Sequence, residues 1–516
     1  MASILIDGAE DMSTFDISTV ADGTISTNNS TTIVITATDG VVYKLEGDFS
    51  GGSGSTLPTE GTINKIVITN AETESRTVVG GLTYDVTQFE QFLNNGASEA
   101  FLKSLFANSD TFNLTNGTVD NVLGGAADDH FLMGASLDAT DTIQGNGGVN
   151  NVVLNGTYEA LVLTDTTLQN IAKLSMQGDT SYNITTADGT VAAHHTLVVD
   201  ARPVSQLGSL TFNGSAETDG SFQFFLGGMG GTNVTGGAGN DSFHGAGTNA
   251  TLIGGGGNDT FYFGASFDGT DTIDGGTGNN LIRLDGDYSA GLTFGATSLQ
   301  NIGNIVLVHG TGNSYNLTLN AANDTGGQNL KIDGSSLHNT DTLTLDGSAV
   351  QGNLNLVGGN GADTLTGGHG HTTFDGGLGA DTLDAGDKSN HFVYAGVTDS
   401  NGARHDTING FDAIRDDVDV QNGVNSVDTA VTTGSLSTAT FVTDLKADLG
   451  ATQLHAHDAV LFTADSGDLS GDTFLVIDQN GVAGYQSDGD LVIQLTGSTN
   501  LSSLSAADFH AQTVFV

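Results

Sequence analysis

The sequence contains no cysteine and no tryptophan, 2 prolines, and only 12 lysines and arginines among its 516 residues. Without cysteine there can be no disulfide framework, thiolate zinc site, iron–sulfur cluster or cysteine nucleophile, so any metal must be held by oxygen atoms or histidine. The few cations face 60 acidic residues, which gives a formal charge of −48. Charge attraction to nucleic acid or to an anionic membrane surface is therefore excluded. No apolar run approaches the ~18 residues that span a bilayer, so no membrane insertion is expected. The start, Met1-Ala2-Ser3-Ile4-Leu5-Ile6-Asp7, lacks a basic segment ahead of its short apolar run and does not read as a signal peptide. Export of such a chain calls for a signal elsewhere in the sequence.

What is abundant is glycine, 75 residues, roughly twice the ordinary share. With so little proline, it belongs neither to collagen nor to a proline-rich disordered tract. It serves turns, and the turns repeat at two periods. The short period is nine. Gly236-Gly237-Ala238-Gly239-Asn240-Asp241-Ser242-Phe243-His244 is followed by a degenerate nine from Gly245 and then by Gly254-Gly255-Gly256-Gly257-Asn258-Asp259-Thr260-Phe261-Tyr262. A second block runs Gly358-Gly359-Asn360-Gly361-Ala362-Asp363-Thr364-Leu365-Thr366, then Gly367 to Asp375, then Gly376-Gly377-Leu378-Gly379-Ala380-Asp381-Thr382-Leu383-Asp384. The long period is about 130 residues: Phe131 to Ile143 matches Phe261 to Ile273 without a gap, and a partial third copy starts at His391-Phe392-Val393-Tyr394 and reaches Asp406-Thr407-Ile408. Between the glycine blocks lie short strand-like runs such as Thr342-Leu343-Thr344-Leu345 and Leu354-Asn355-Leu356-Val357. These argue for parallel solenoid rungs.

Each nine supplies a tight turn and a short strand whose central apolar residue points inward: Phe243, Leu252 and Phe261 in one block, Leu365, Phe374 and Leu383 in the other. The glycines are expected to provide positive φ and close backbone approach. The aspartates fall where successive turns converge, and a hard dication with oxygen ligands would relieve their repulsion. These nonapeptides resemble the RTX (repeats-in-toxin) family of calcium-binding, type I secreted bacterial proteins. The resemblance implies a β-roll in which alternate nines turn on opposite edges, so that turns sharing a cation lie 18 residues apart. Asp241 and Asp259 have that spacing (259 − 241 = 18), as do Asp363 and Asp381 (381 − 363 = 18). With Gly237, Gly239, Gly255, Gly257, Gly359, Gly361, Gly377 and Gly379 they are the expected Ca2+ turns, and Asp120, Asp129, Asp271 and Asp375 are further candidates. The units between put Ala250 and Thr372 at the aspartate position, which predicts calcium on one edge and a poor or empty opposite edge.

Residues 1–105 carry no nonapeptide and are expected to form a small mixed α/β cap or interaction domain, with a hairpin at Asp39-Gly40 and a helix opened by Thr87-x-x-Glu90. Residues 106–390 form the repeat array, with RTX blocks near 227–262 and 358–384. Residues 391–516 form a β-rich C-terminal domain. There, His405 to Asp412, Thr473 to Gly481, Asp490 to Leu495, Ala507-Asp508-Phe509 and the tail Thr513-Val514-Phe515-Val516 resemble the export region of serralysin-type proteins. The whole is therefore expected to be all-β, a parallel β-solenoid or β-roll flanked by these two domains.

No H-E-x-x-H, G-x-S-x-G or G-x-x-x-x-G-K-S/T motif occurs. His194-His195 and His369-Gly370-His371 sit where exposed histidines are ordinary. The expectation is a non-enzymatic, secreted, calcium-dependent structural protein of the bacterial surface, assembling with copies of itself as an S-layer-like sheet or filament after passage through the type I secretion machinery. A calcium-dependent adhesin or biofilm-matrix protein binding cell-surface polysaccharide is the alternative. A polysaccharide-modifying enzyme comes third, because 12 cations scarcely furnish a basic groove.

Overall fold

The computed structural model describes residues 3–7, 10–11, 16–52, 54–70, 75–114, 120–323 and 329–511. The side chain of Asp120 and the tail Thr513–Val516 lie outside the described residues. The chain divides into two compact units, Met1–Gly257 and Asn258–Val516.

The first unit opens with an antiparallel meander of Thr24–Asn28, Thr32–Thr36, Val42–Ser50, Glu60–Asn70 and Ser75–Asp85. Ile33, Ile35, Tyr43 and Leu45 point inward on alternate positions, and Gly40 turns the hairpin at φ +88. The helix Val86–Asn95 does not use the expected Thr87-x-x-Glu90 box. Asp85, still extended at the end of its strand, accepts the Thr87 N–H at 2.7 Å and caps the helix two residues before Thr87, so strand passes into helix without a loop. The strand Ser3–Asp7 pairs antiparallel with Ser75–Asp85 and parallel with Thr111–Leu114, which joins the meander to the solenoid. From there the pairing is parallel: His130–Gly134, Asn151–Leu154, Lys173–Met176, Thr196–Asp200, Ser221–Phe225 and Ser242–His244 build one sheet. Tyr158–Leu163, Ser181–Thr186, Ser209–Asn213, Thr232–Thr235 and Thr251–Ile253 build another.

The second unit repeats the plan. One parallel sheet runs from Thr260–Phe263 through Leu354–Val357, Thr372–Asp375, Asn390–Tyr394 and Asp417–Val420 to Phe509–Ala511. The other runs from Tyr288–Thr293 through Thr364–Thr366 and Thr382–Asp384 to Asp406–Asn409, which pairs with Asp490–Thr496 of the C-terminal meander. The inward positions form continuous columns: Leu345, Leu365, Leu383 and Ile408 in one sheet, Leu356, Phe374, Phe392 and Val418 in the other, all essentially without exposure. The helix Phe441–Asp448 closes a separate core with Leu436, Leu454, Phe462, Phe474 and Tyr485. The fold is thus an all-β parallel solenoid.

The 130-residue period is structural. Asp141 accepts the Asp138 N–H at 2.7 Å, and Asp271 accepts that of Asp268 at 3.0 Å. The Tyr158 hydroxyl donates to Gly134 O, and the Tyr288 hydroxyl to Gly264 O. Tyr158 stacks on Tyr182 at 6.0 Å and Tyr288 on Tyr315 at 5.8 Å. The buried Tyr182 hydroxyl donates to Leu154 O at 3.1 Å and Gln177 O at 2.6 Å. Tyr182→Phe is expected to cost about 1 kcal/mol, read as a lower urea midpoint for the calcium-loaded chain.

Candidate metal centres

The strand pairs Thr364↔Thr382 and Thr366↔Asp384 place residues 18 apart on neighbouring rungs, while Phe374 belongs to the other sheet. Alternate nonapeptides therefore turn on opposite edges. Asp363 lies immediately before its strand and is 2% exposed. Its Oδ2 accepts the Gly359 N–H at 2.6 Å and its Oδ1 accepts the Leu343 N–H of the preceding coil at 2.7 Å. The next aspartate repeats the link: Asp381 Oδ1 accepts the Asp363 N–H at 2.8 Å, and Asp406 Oδ1 accepts the Asp381 N–H at 2.9 Å. In the first unit Asp241 takes the N–H groups of Phe222 and Gly237 at 2.6 and 2.7 Å. Asp129 takes those of Asp110 and Gly125 at 2.9 and 2.7 Å. Asp259, in the second unit, is fully buried and donates its own N–H to Asn280 Oδ1 at 2.9 Å.

One sequence expectation changes here and another is found in both its parts. The carboxylates are not simply opposed to one another at the turns, because backbone N–H groups already occupy part of their acceptor capacity. The glycines divide between the two expected reasons. Positive φ is found at Gly255, Gly257, Gly377 and Gly379, at +109, +90, +81 and +158. Gly361 is needed because a Cβ there would lie 2.1 Å from Asp341 O of the coil before, and Gly237, Gly239 and Gly359 face similar crowding. A Cβ at Gly379 would likewise meet Gly361 O at 2.3 Å.

The turn-closing bond does not itself need a charge. On the opposite edge Thr372 accepts from Gly368 and Asn390 from Gly386, both neutral and both buried. A carboxylate in the same position incurs a desolvation cost that Thr and Asn avoid. Burial pushes Asp241 and Asp363 up to about 6. It also raises Asp381, where the charges of Asp363, Asp375 and Asp399 add to the effect, and Asp406, where those of Asp381 and Asp399 do. At Gly377 the left-handed backbone sends the N–H to Asp375 Oδ1 at 3.1 Å. Asp381 Oδ2 is left with no hydrogen-bond donor, while the Asp406 carboxyl has the Tyr394 hydroxyl beside it. Both residues are at most 1% exposed. The buried Asp399 carboxyl and the Tyr394 hydroxyl border the same nest. The orphaned Asp381 oxygen among acidic neighbours fits a hard dication, and Asp381 with Asp406 would hold it. Asp363, with both oxygens bonded, fits less well.

Residues 328–503 match the family described as peptidase M10 serralysin C terminal. They are a serralysin-type C-terminal region. That region takes in the ladder Asp363–Asp381–Asp406 and the meander beyond it. A comparison of the whole chain with curated proteins gives no match. The serralysin-type region marks a secreted RTX-type protein, of a kind whose repeats bind calcium. Among the described residues no helix is long and apolar enough to cross a membrane.

Sequence reasoning passed over Asp406 as a ladder member because no glycine block precedes it. The shared signal is Asp-Thr-Leu/Ile at 363, 381 and 406. It also undervalued Asp129, whose missing turn glycine does not alter its two hydrogen bonds. Asp375 is half-buried, and Asp271 closes its own turn. His369 pairs with Asp387 and His371 with Ser389, at exposed positions. In the first unit Asp188, Glu217 and Asp219 bring carboxylates together, but Glu217 already accepts N–H groups from Val191 and Gly220.

Proposed function

We propose that this secreted chain is a calcium-set structural protein of the bacterial surface, which folds after export and assembles with copies of itself into a sheet or filament. The observation that carries the reading is the 130-residue structural repeat. It presents equivalent side chains twice along one chain, and repeated surfaces suit contacts between identical molecules. The chain is a scaffold rather than an enzyme. In calcium-poor cytosol its acidic turns favour the unfolded form that passes the type I machinery, with the export signal in the C-terminal region. Outside, at millimolar calcium and a site affinity near ~10⁻⁴ M, each site adds about 1.4 kcal/mol. Negative-stain microscopy with calcium and then with chelator tests this. Regular sheets or fibres that vanish on chelation are expected, and monomers under both conditions would overturn it.

An adhesin is the second reading. It is favoured by an open recess of about 400 Å3 in which Asp138, Thr140 and Glu159 stand beside Leu137, Tyr158 and Val162, polar groups next to an apolar wall on which a sugar ring could lie.

A further inference from the structure

Three neighbouring parallel strands of the second unit, Asn390–Tyr394, Asp417–Val420 and Phe509–Ala511, turn one face inward through Phe392, Val418 and Phe509. Their other face carries His391, Asp417, Asp419 and His510. The register sets His391 beside Asp417 and Asp419 beside His510. His510 Nδ1 lies 3.2 Å from Asp419 Oδ1, and His391 Nδ1 lies 4.0 Å from the same oxygen and 3.8 Å from Asp417 Oδ2. One ligand atom each from His391, Asp419 and His510 lie within 4.8 Å of one another. Tetrahedral zinc with bonds of about 2.0–2.1 Å sets its ligands roughly 3.4 Å apart, so small side-chain rotations would close the set. A recess of about 480 Å3 opens over these residues, with Asp375 and Val393 on its wall, leaving room for water as a fourth ligand.

We propose that His391, Asp419 and His510 bind a first-row divalent cation of the zinc type. Two imidazoles and one carboxylate form a donor set that calcium, which takes oxygen ligands, does not favour. The all-oxygen turns of the roll have the opposite preference, so the two sites sort the two metals by chemistry. Because His510 lies on the last described strand, Asp419 on the strand beside it and His391 on the strand beyond that, the ion fastens the last strand across the sheet. Asp417 supplies a second carboxylate at the rim.

The test is metal analysis of the full chain, dialysed at neutral pH against zinc in the presence of millimolar calcium, so that the roll stays loaded. About one zinc ion per chain is expected, with slower hydrogen exchange in Phe509–Ala511 when zinc is present. His391→Ala and His510→Ala should each weaken zinc binding about tenfold or more, with calcium content and circular dichroism unchanged, while His371→Ala binds as before. Absence of zinc from the calcium-loaded chain would overturn the proposal. So would undiminished binding in the His391→Ala/His510→Ala double variant, which would assign the ion to another group such as Asp428, His455 and Asp458.

Discussion

Asp381→Asn is expected to move stability in opposite directions with and without calcium. The asparagine retains an Oδ1 acceptor for the Asp363 N–H, so the 2.8 Å link between coils survives. What disappears is a buried charge beside Asp406. In chelator at pH 8 the variant should therefore be more stable than the parent, since the parent must either ionise Asp381 in the interior or protonate it. In millimolar calcium it should be less stable, because the cation loses a charged ligand. Asp381→Ala differs in a second respect. It leaves the Asp363 N–H without a partner, which costs about 1–3 kcal/mol under both conditions. Replacing Asp241, Asp259, Asp363 and Asp381 together by alanine should leave the solenoid unfolded even in calcium. The two cations those pairs would share amount to about 3 kcal/mol, and the alanines at 241, 363 and 381 also strip the Phe222, Leu343 and Asp363 N–H groups of their partners, at about 1–3 kcal/mol each, a sum comparable with the whole stability of an ordinary domain. Urea titrations followed by circular dichroism, with calcium and with chelator, read both effects. A shift of the same sign and size in the two media would show Asp381 to be a hydrogen-bonding residue only.

This contrast between charge and hydrogen bond was not legible in the nonapeptides. The spacing of Gly-Gly-x-Gly-x-Asp located the turns, the 18-residue coil and the inward apolar columns, because each depends on backbone period and on which side a residue faces. It did not reveal where each carboxylate oxygen goes. That depends on whether the second glycine has φ near +80, as at Gly377, or an ordinary value, as at Gly359, and both are written with the same letter. Asp406 was hidden for a related reason. Its turn is made by the inserted segment of the third long repeat, so it lacks the glycines while keeping the Asp-Thr-Ile that sets the strand. The His391–Asp419–His510 group could not be read at all. Its members come from segments about 90 residues apart (510 − 419 = 91), and only the parallel pairing of the strand Phe509–Ala511 with Asp417–Val420 brings them together.

The metal-free protein should lose stability as pH rises from about 4 to 8, the reverse of ordinary acid denaturation. Burial pushes Asp241 and Asp363 up to about 6 and Asp490 up to about 7, against about 3.9 in an unfolded chain. The folded form thus holds these protons more tightly than the unfolded form. Their contribution is complete below the unfolded value and disappears as pH climbs through 6 and then 7. Each tenfold gain in proton affinity on folding corresponds to about 1.4 kcal/mol, so Asp241 and Asp363 are each worth about 3 kcal/mol and Asp490 about 4 kcal/mol across that window. Calcium should remove the part belonging to the roll, because a cation stabilises the ionised carboxylates that burial penalises. Asp490 stands outside the nonapeptides, at the start of the strand Asp490–Thr496 and opposite Asp478. Its share should persist in calcium and vanish in Asp490→Asn. Urea midpoints at pH 5 and pH 8, each with calcium and with chelator, separate the two contributions. A chelated protein as stable at pH 8 as at pH 5 would mean that these buried aspartates are ionised in the folded state without any cation, leaving the acidic ladder no need of one.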